Sequence, residues 1–122
     1  SCYYDLIYSS KGGDAFIVRA LLEAGADKDA KDNDGGTALL FASEGGHESC
    51  VRALFEAGAD KDAKNDNGAT ALMYASVTGH ESCVRALLEA GADKDAEDNN
   101  GEKALMYASM GGHDAIVTLL SG

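Results

Sequence analysis

Three histidines and two cysteines recur at one fixed spacing, and that spacing limits the chemistry open to them. His47, His80 and His113 each follow a glycine and stand 33 residues apart, as do Cys50 and Cys83. A zinc site needs three or four such side chains converging on one point. Packed helices lie about 8–10 Å apart, so residues that occur once per layer form a column instead of a cluster. That separation also exceeds the roughly 7 Å between Cα atoms that a disulfide can bridge. The histidines are therefore expected to stabilise turns. Cys50 and Cys83, in a column shared with Ile17 and Ile116, are expected to act as small buried hydrophobes. Cys2 has no repeated counterpart, and an odd cysteine count without framework spacing suits a reducing compartment.

The acidic loops invite a calcium hypothesis, which ligand geometry tests. An EF-hand loop needs an acidic residue five positions before its glycine and a glutamate six after it. Registering on Gly35, Gly68 or Gly101 puts Ala30, Ala63 or Ala96 first and Phe41, Tyr74 or Tyr107 last, so every register fails twice. No G-x-S-x-G, Walker-type glycine loop or H-E-x-x-H occurs, and serine and histidine follow the period where catalysis needs a unique constellation. The expectation is no catalytic residue, no metal site and no cofactor.

What positions these residues is the repeat itself. Lys31–Ala63 and Lys64–Ala96 agree at 24 of 33 positions; residues 97–122 form a third copy cut short, and residues 1–30 an earlier copy without its beginning. A period of this size signals stacked helical units in one array, read here as a single domain over residues 1–122. Within a copy, Thr37 precedes Ala38–Ser43 as a hydroxyl N-cap, Gly45 and Gly46 stop that short helix, and a second helix runs from Glu48 to about Ala57. Cys50, Ala53, Leu54 and Ala57 share one face of it, with Val51 and Phe55 widening the stripe; Gly58 closes it. A polar loop rich in Asp, Asn and Gly follows.

The strings GGTALLFASEGGHESCVRALFEAGADKDA and GATALMYASVTGHESCVRALLEAGADKDA resemble ankyrin repeats, with the T-x-L helix start, the G-H turn and the G-A-D end. The resemblance implies an all-α solenoid of about four helix-turn-helix units joined by β-hairpin-like loops. It also implies a protein–protein interaction module without catalysis, contacting its partner through concave first helices and loop tips. Three departures are visible. Ala38, Ala71 and Ala104 stand where the family has proline, and Leu40, Met73 and Met106 where it has histidine. Lys103 and Tyr4 occupy the Thr37 and Thr70 column, so both terminal copies lack a hydroxyl cap and are expected to fray first.

The net charge of −11 is spread as −2, −4, −2 and −3 over the successive copies. Phosphate backbones and anionic membranes call for clustered Lys and Arg, so nucleic acid and membrane are not expected as partners, and a basic protein or peptide is. Eight of the nine differences between the two full copies fall on the loop tip or first helix. These give the candidate contact residues Asp34, Gly36, Glu44, Asn67, Ala69 and Val77, with Asn100, Glu102 and Met110 in the last copy. A column of Tyr8, Phe41, Tyr74 and Tyr107 runs alongside. Three arrangements of it stay open: a stripe exposed in the concavity, rings packed between successive first helices, or rings packed by their edges with hydroxyls exposed. Acidic residues such as Asp34 and Glu102 beside the column suit a cation–π contact with a basic partner.

The competing reading is a structural scaffold, either an engineered or consensus-like array or a fragment of a larger ankyrin protein, with no dedicated ligand. The chain is expected to be monomeric. Ser9, Ser10 and Ser121 suggest partial capping, most clearly at the C-terminal end, and end-to-end association is the remaining alternative. Ser1 opens no charged-then-apolar leader, so a cytoplasmic or nuclear location is expected.

Overall fold

A computed structural model describes residues 2–122, with side chains from Asp5 onward. The Tyr4 and Cys2 side chains lie outside the described residues. Among the described residues eight helices run in four pairs: α1 (Cys2–Gly12) with α2 (Ala15–Glu23), α3 (Ala38–Glu44) with α4 (Glu48–Glu56), α5 (Ala71–Thr78) with α6 (Glu81–Glu89), and α7 (Ala104–Gly111) with α8 (Asp114–Ser121). First helices pack on first helices and second on second, so each pair touches only its neighbours.

Local chemistry accounts for the helix ends. Thr37 and Thr70 accept the backbone N–H of Leu40 and Met73 at 3.3 and 3.4 Å, while Lys103 makes no side-chain cap. At the end of α4 the amides of Gly58 and Ala59 donate to Phe55 and Leu54, the paired bonds of a Schellman motif, with Gly58 in the left-handed region at φ 84°. The core is one continuous strip formed by Leu39, Leu40, Val51 and Leu54 of one pair, Leu72, Met73, Val84 and Leu87 of the next, and their counterparts at the ends. Hydrogen exchange of the intact chain should find α7 less protected than α3 and α5, the threonine cap being worth about 1 kcal/mol. Equal protection along all first helices would contradict it.

Several kinds of bond cross from copy to copy, among them the following. Loop tips join through backbone, Asp66 N–H to Asp34 C=O and Asn99 N–H to Asn67 C=O, both at 3.0 Å. Lys31 and Lys64 each reach the carbonyl 33 residues on, at 2.9 Å. The amides of Asp60 and Asp93 donate to the carboxylates of Asp29 and Asp62 at 2.8 Å. Finally, the Nε2–H of His47 and of His113 donates to the carbonyls of Lys11 and Val77 at 3.0 Å. His47 and His113 thus brace the turn of the preceding copy, which gives the expected turn-stabilising role its particular turn. The ring of His80 lies so close over Gly46, φ 75°, that an added Cβ there would come within 2.5 Å of it.

The hairpin-like loops carry no strand among the described residues; a side chain ties each of them. Oδ1 of Asp32 accepts the amides of Asp34 and Gly36, Asn65 those of Asn67 and Ala69, and Asp98 those of Asn100 and Glu102, all within 2.8–3.0 Å. These are Asx turns, in which the side chain substitutes for a backbone acceptor. Asp32 and Asp98 therefore spend a carboxylate oxygen on their own loop.

The ends differ from the expected capping. At the C-terminal end Leu105, Met106 and Met110 are 38, 49 and 61% exposed. The equivalents of Leu105 and Met106, namely Leu39, Leu72, Leu40 and Met73, are buried, and no first helix follows α7 among the described residues. Ser121 lies on α8 and covers none of that face. At the other end Asp5 and Ser9 occupy the columns of Ala38 and Ala42, making α1 the more polar end helix, although Phe16 of α2 is 85% exposed.

Candidate functional site

Two adjoining clefts open where first helices meet the loop tips. The larger, about 290 Å³, is lined by Leu40, Phe41 and Glu44 of α3, Tyr74 of α5, and Asp34, Gly36, Asn65, Asp66 and Asn67 of two loops. The smaller, about 180 Å³, is lined by Ile7, Tyr8 and Lys11 of α1 and by Asp32, Asn33 and Asp34. Asp34 borders both.

Of the residues marked from the sequence, Asp34, Gly36, Phe41, Glu44, Asn67 and Tyr74 come together in the larger cleft. Tyr8 belongs to the smaller one and is 63% exposed. Tyr107, Asn100, Glu102, Val77 and Met110 line neither. Val77 is half-buried and holds His113 through its carbonyl, while Met110 stands on the open end face. Gly36 and Ala69 are buried instead of lying on the loop surface, because their amides turn inward to the Asx acceptors Asp32 and Asn65. A Cβ on Gly36 would come within 2.8 Å of the Phe41 ring, so the glycine lets that ring lie against the loop.

The aromatic column takes a mixed form. Phe41, Tyr74 and Tyr107 are half-buried and packed against the core. The hydroxyls of Tyr74 and Tyr107, however, face the loop where solvent was one expectation. Asn65 Nδ2 donates to the Tyr74 hydroxyl at 2.8 Å, whereas the Tyr107 hydroxyl donates to Asp98 Oδ2. The one column thus uses its phenol as acceptor in one copy and donor in the next, according to whether Asn or Asp stands in the loop. Bonding to Tyr107 and to two loop amides holds the Asp98 carboxyl below the usual range, and burial together with Asp98 pushes the Tyr107 phenol up.

Lys11 and the Asx residues Asp32, Asn65 and Asp98 were not marked from the sequence. Lys11 stands over two rings, its ammonium 4.3 Å from the Phe41 centroid and 5.5 Å from that of Tyr8. A visible signal existed: its column reads Lys11, Glu44, Val77, Met110, with a single cation. By contrast, no Lys or Arg lines the larger cleft, and Asp34, Glu44 and Asp66 form no ion pair among the described residues.

Cys50 and Cys83 have zero exposure, and burial pushes both thiols up, Cys83 to about 11. Iodoacetamide should leave both unmodified in the native chain at neutral pH and alkylate both in denaturant, as read by peptide mapping. Labelling of the folded chain at the rate of a free thiol would contradict this. The Cys83 shift also carries a sign: its stabilisation is complete below the ordinary value of 9.0 and is lost as pH rises toward about 11. No set of three His, Cys, Asp or Glu side chains among the described residues is placed to hold a metal ion.

A family model described as ankyrin repeats (3 copies) matches residues 6–65 and 57–122. The chain belongs to the ankyrin repeat family. No curated protein matches it. Ankyrin repeats are generally protein–protein interaction modules and typically non-catalytic, and the eight helices of this one agree with the all-α fold of the family. Among its described residues no helix is long and apolar enough to cross a membrane.

Proposed function

We propose that this ankyrin repeat domain, taken as one unit over residues 1–122, binds a partner protein or peptide on its concave first helices and loop tips, without catalysis. The observation that carries the reading is the larger cleft, where two aromatic rings and Leu40 lie beside three carboxylates that form no ion pair among the described residues. Apolar surface rimmed by charge of one sign is typical of a recognition site and favours a partner of the opposite sign. The net charge of −11 supports a basic partner, and the unpaired thiols of Cys50 and Cys83 fit the cytoplasm or nucleus. A scaffold without a ligand is the second reading, favoured by the regularity of the cross-copy bonds at 33-residue intervals.

Replacing Tyr74 and Tyr107 by Ala does not discriminate the two, because both rings pack on the core and both hydroxyls hold their loops. Exposed Asp34 and Asn67 do. The intact domain and its Asp34→Lys/Asn67→Lys variant serve as baits, with captured proteins identified by mass spectrometry and the domain's unfolding followed in parallel. The expected result is a basic protein held by the wild type, released by added salt and lost with the variant, at unchanged stability. Identical capture by both baits would overturn the proposed surface, and no salt-sensitive capture would favour the scaffold.

A further inference from the structure

The two clefts are the same site one repeat apart. Adding 33 to Ile7, Tyr8, Lys11, Asp32, Asn33 and Asp34 gives Leu40, Phe41, Glu44, Asn65, Asp66 and Asn67, all of which line the larger cleft. In the smaller cleft Lys11 supplies a cation from within the chain, its ammonium placed over Phe41 and Tyr8. The ring equivalent to Phe41 in the next cleft is Tyr74, and the residue equivalent to Lys11 is Glu44. The larger cleft thus keeps the ring pair, gains a carboxylate where the cation stood, and has Asp34 and Asp66 at its rim. One step further along, the column holds Val77, which is neither charged nor exposed enough to repeat the pattern.

We infer that the cleft between Phe41 and Tyr74 takes the ammonium group of a lysine side chain from the partner, in the role that Lys11 plays one copy earlier. The inference rests on the protein-binding reading and deepens it. A cation over an aromatic face is attracted by the ring's quadrupole and more so as it loses water, and the carboxylates add directional attraction. Lysine is favoured by the internal example, which is itself a lysine.

The test titrates the isotopically labelled domain with the peptide acetyl-Gly-Leu-Lys-Leu-Gly-amide and with its Nε-acetyl-lysine counterpart, following backbone amide shifts. Saturable shifts are expected at Phe41, Glu44, Asp66, Asn67 and Tyr74, with the acetylated peptide weaker by about tenfold. Glu44→Lys, which restores the internal cation at an exposed position, should abolish the cleft shifts while preserving the remaining spectrum; Glu44→Gln should weaken binding less. Equal binding of both peptides, binding that survives Glu44→Lys, shifts scattered over the acidic loops of all copies, or no saturable shift would each overturn the inference. A protein partner that is lost with Asp34→Lys/Asn67→Lys but indifferent to Glu44→Lys would remove the lysine site and leave the interaction module standing.

Discussion

Leu54→Ala will lower the unfolding free energy by about 2–5 kcal/mol, near the upper end of that range. Leu54 has zero exposure in α4, which packs against α2, α3 and α6 at once. Removing its isobutyl group forfeits the transfer free energy and leaves a cavity walled by helices that their own neighbours hold in place. For a chain of 122 residues total stability is of the order of 6–18 kcal/mol, so a large fraction is at stake. Urea unfolding should show a lower midpoint at an unchanged slope. Phe55→Leu provides the contrast, since the next copy already has Leu88 there and the position is half-buried. A loss below about 1 kcal/mol for Leu54→Ala would contradict a core shared between copies.

Gly68→Ala is expected to lower stability by roughly 2–3 kcal/mol, from two separable sources. Gly68 sits at φ 75°, where a side chain costs about 1–2 kcal/mol. Its added Cβ would also come within 2.5 Å of Asn99 Oδ1 and 2.8 Å of the Asn99 backbone nitrogen. The side-chain oxygen can rotate away; the backbone cannot, because that same amide makes the tip-to-tip bond to Asn67 C=O. Gly101→Ala isolates the first source. Its φ is also 75°, yet nothing stands closer to its added Cβ than Glu97 Oε1 at 3.6 Å. Urea unfolding of both variants should place Gly68→Ala below Gly101→Ala by about the value of one hydrogen bond, near 1 kcal/mol. Equal losses would mean that the tip contact carries no weight.

The fold was legible because its signals are local and repeated. The Thr37 hydroxyl, the Gly45–Gly46 stop and the Gly58–Ala59 ending each act within a few residues, so a single copy is enough to read them. The burial of Cys50 and Cys83 was expected from a column shared with two isoleucines, of which Ile116 is buried and Ile17, in the first copy, is 45% exposed. The site was legible only in part, because aligning copies compares equivalent residues, whereas a cleft is built from non-equivalent ones. Phe41 and Tyr74 entered as members of one column; their meeting with Asp34, Asp66 and Leu40 across two copies depends on stacking geometry. Lys11 escaped for a related reason, being a residue of the degenerate copy that acts on Phe41 of the next. The histidines show the same limit. Their type and place suggested a turn, and the direction of the ring, set by the backbone at the start of α4, α6 and α8, decided which turn.

The spacing of the cross-copy bonds also governs how the chain reaches its structure. From Lys94 and Leu120 at 26 residues to Arg19 and Glu56 at 37, side-chain hydrogen bonds between copies join positions about one repeat apart. Every closure therefore forms a ring of similar, modest length, and its entropic penalty does not grow as the array lengthens. A low contact order follows, and with it a chain that can be assembled in the order in which it is synthesised, each new helix pair finding its template already in place.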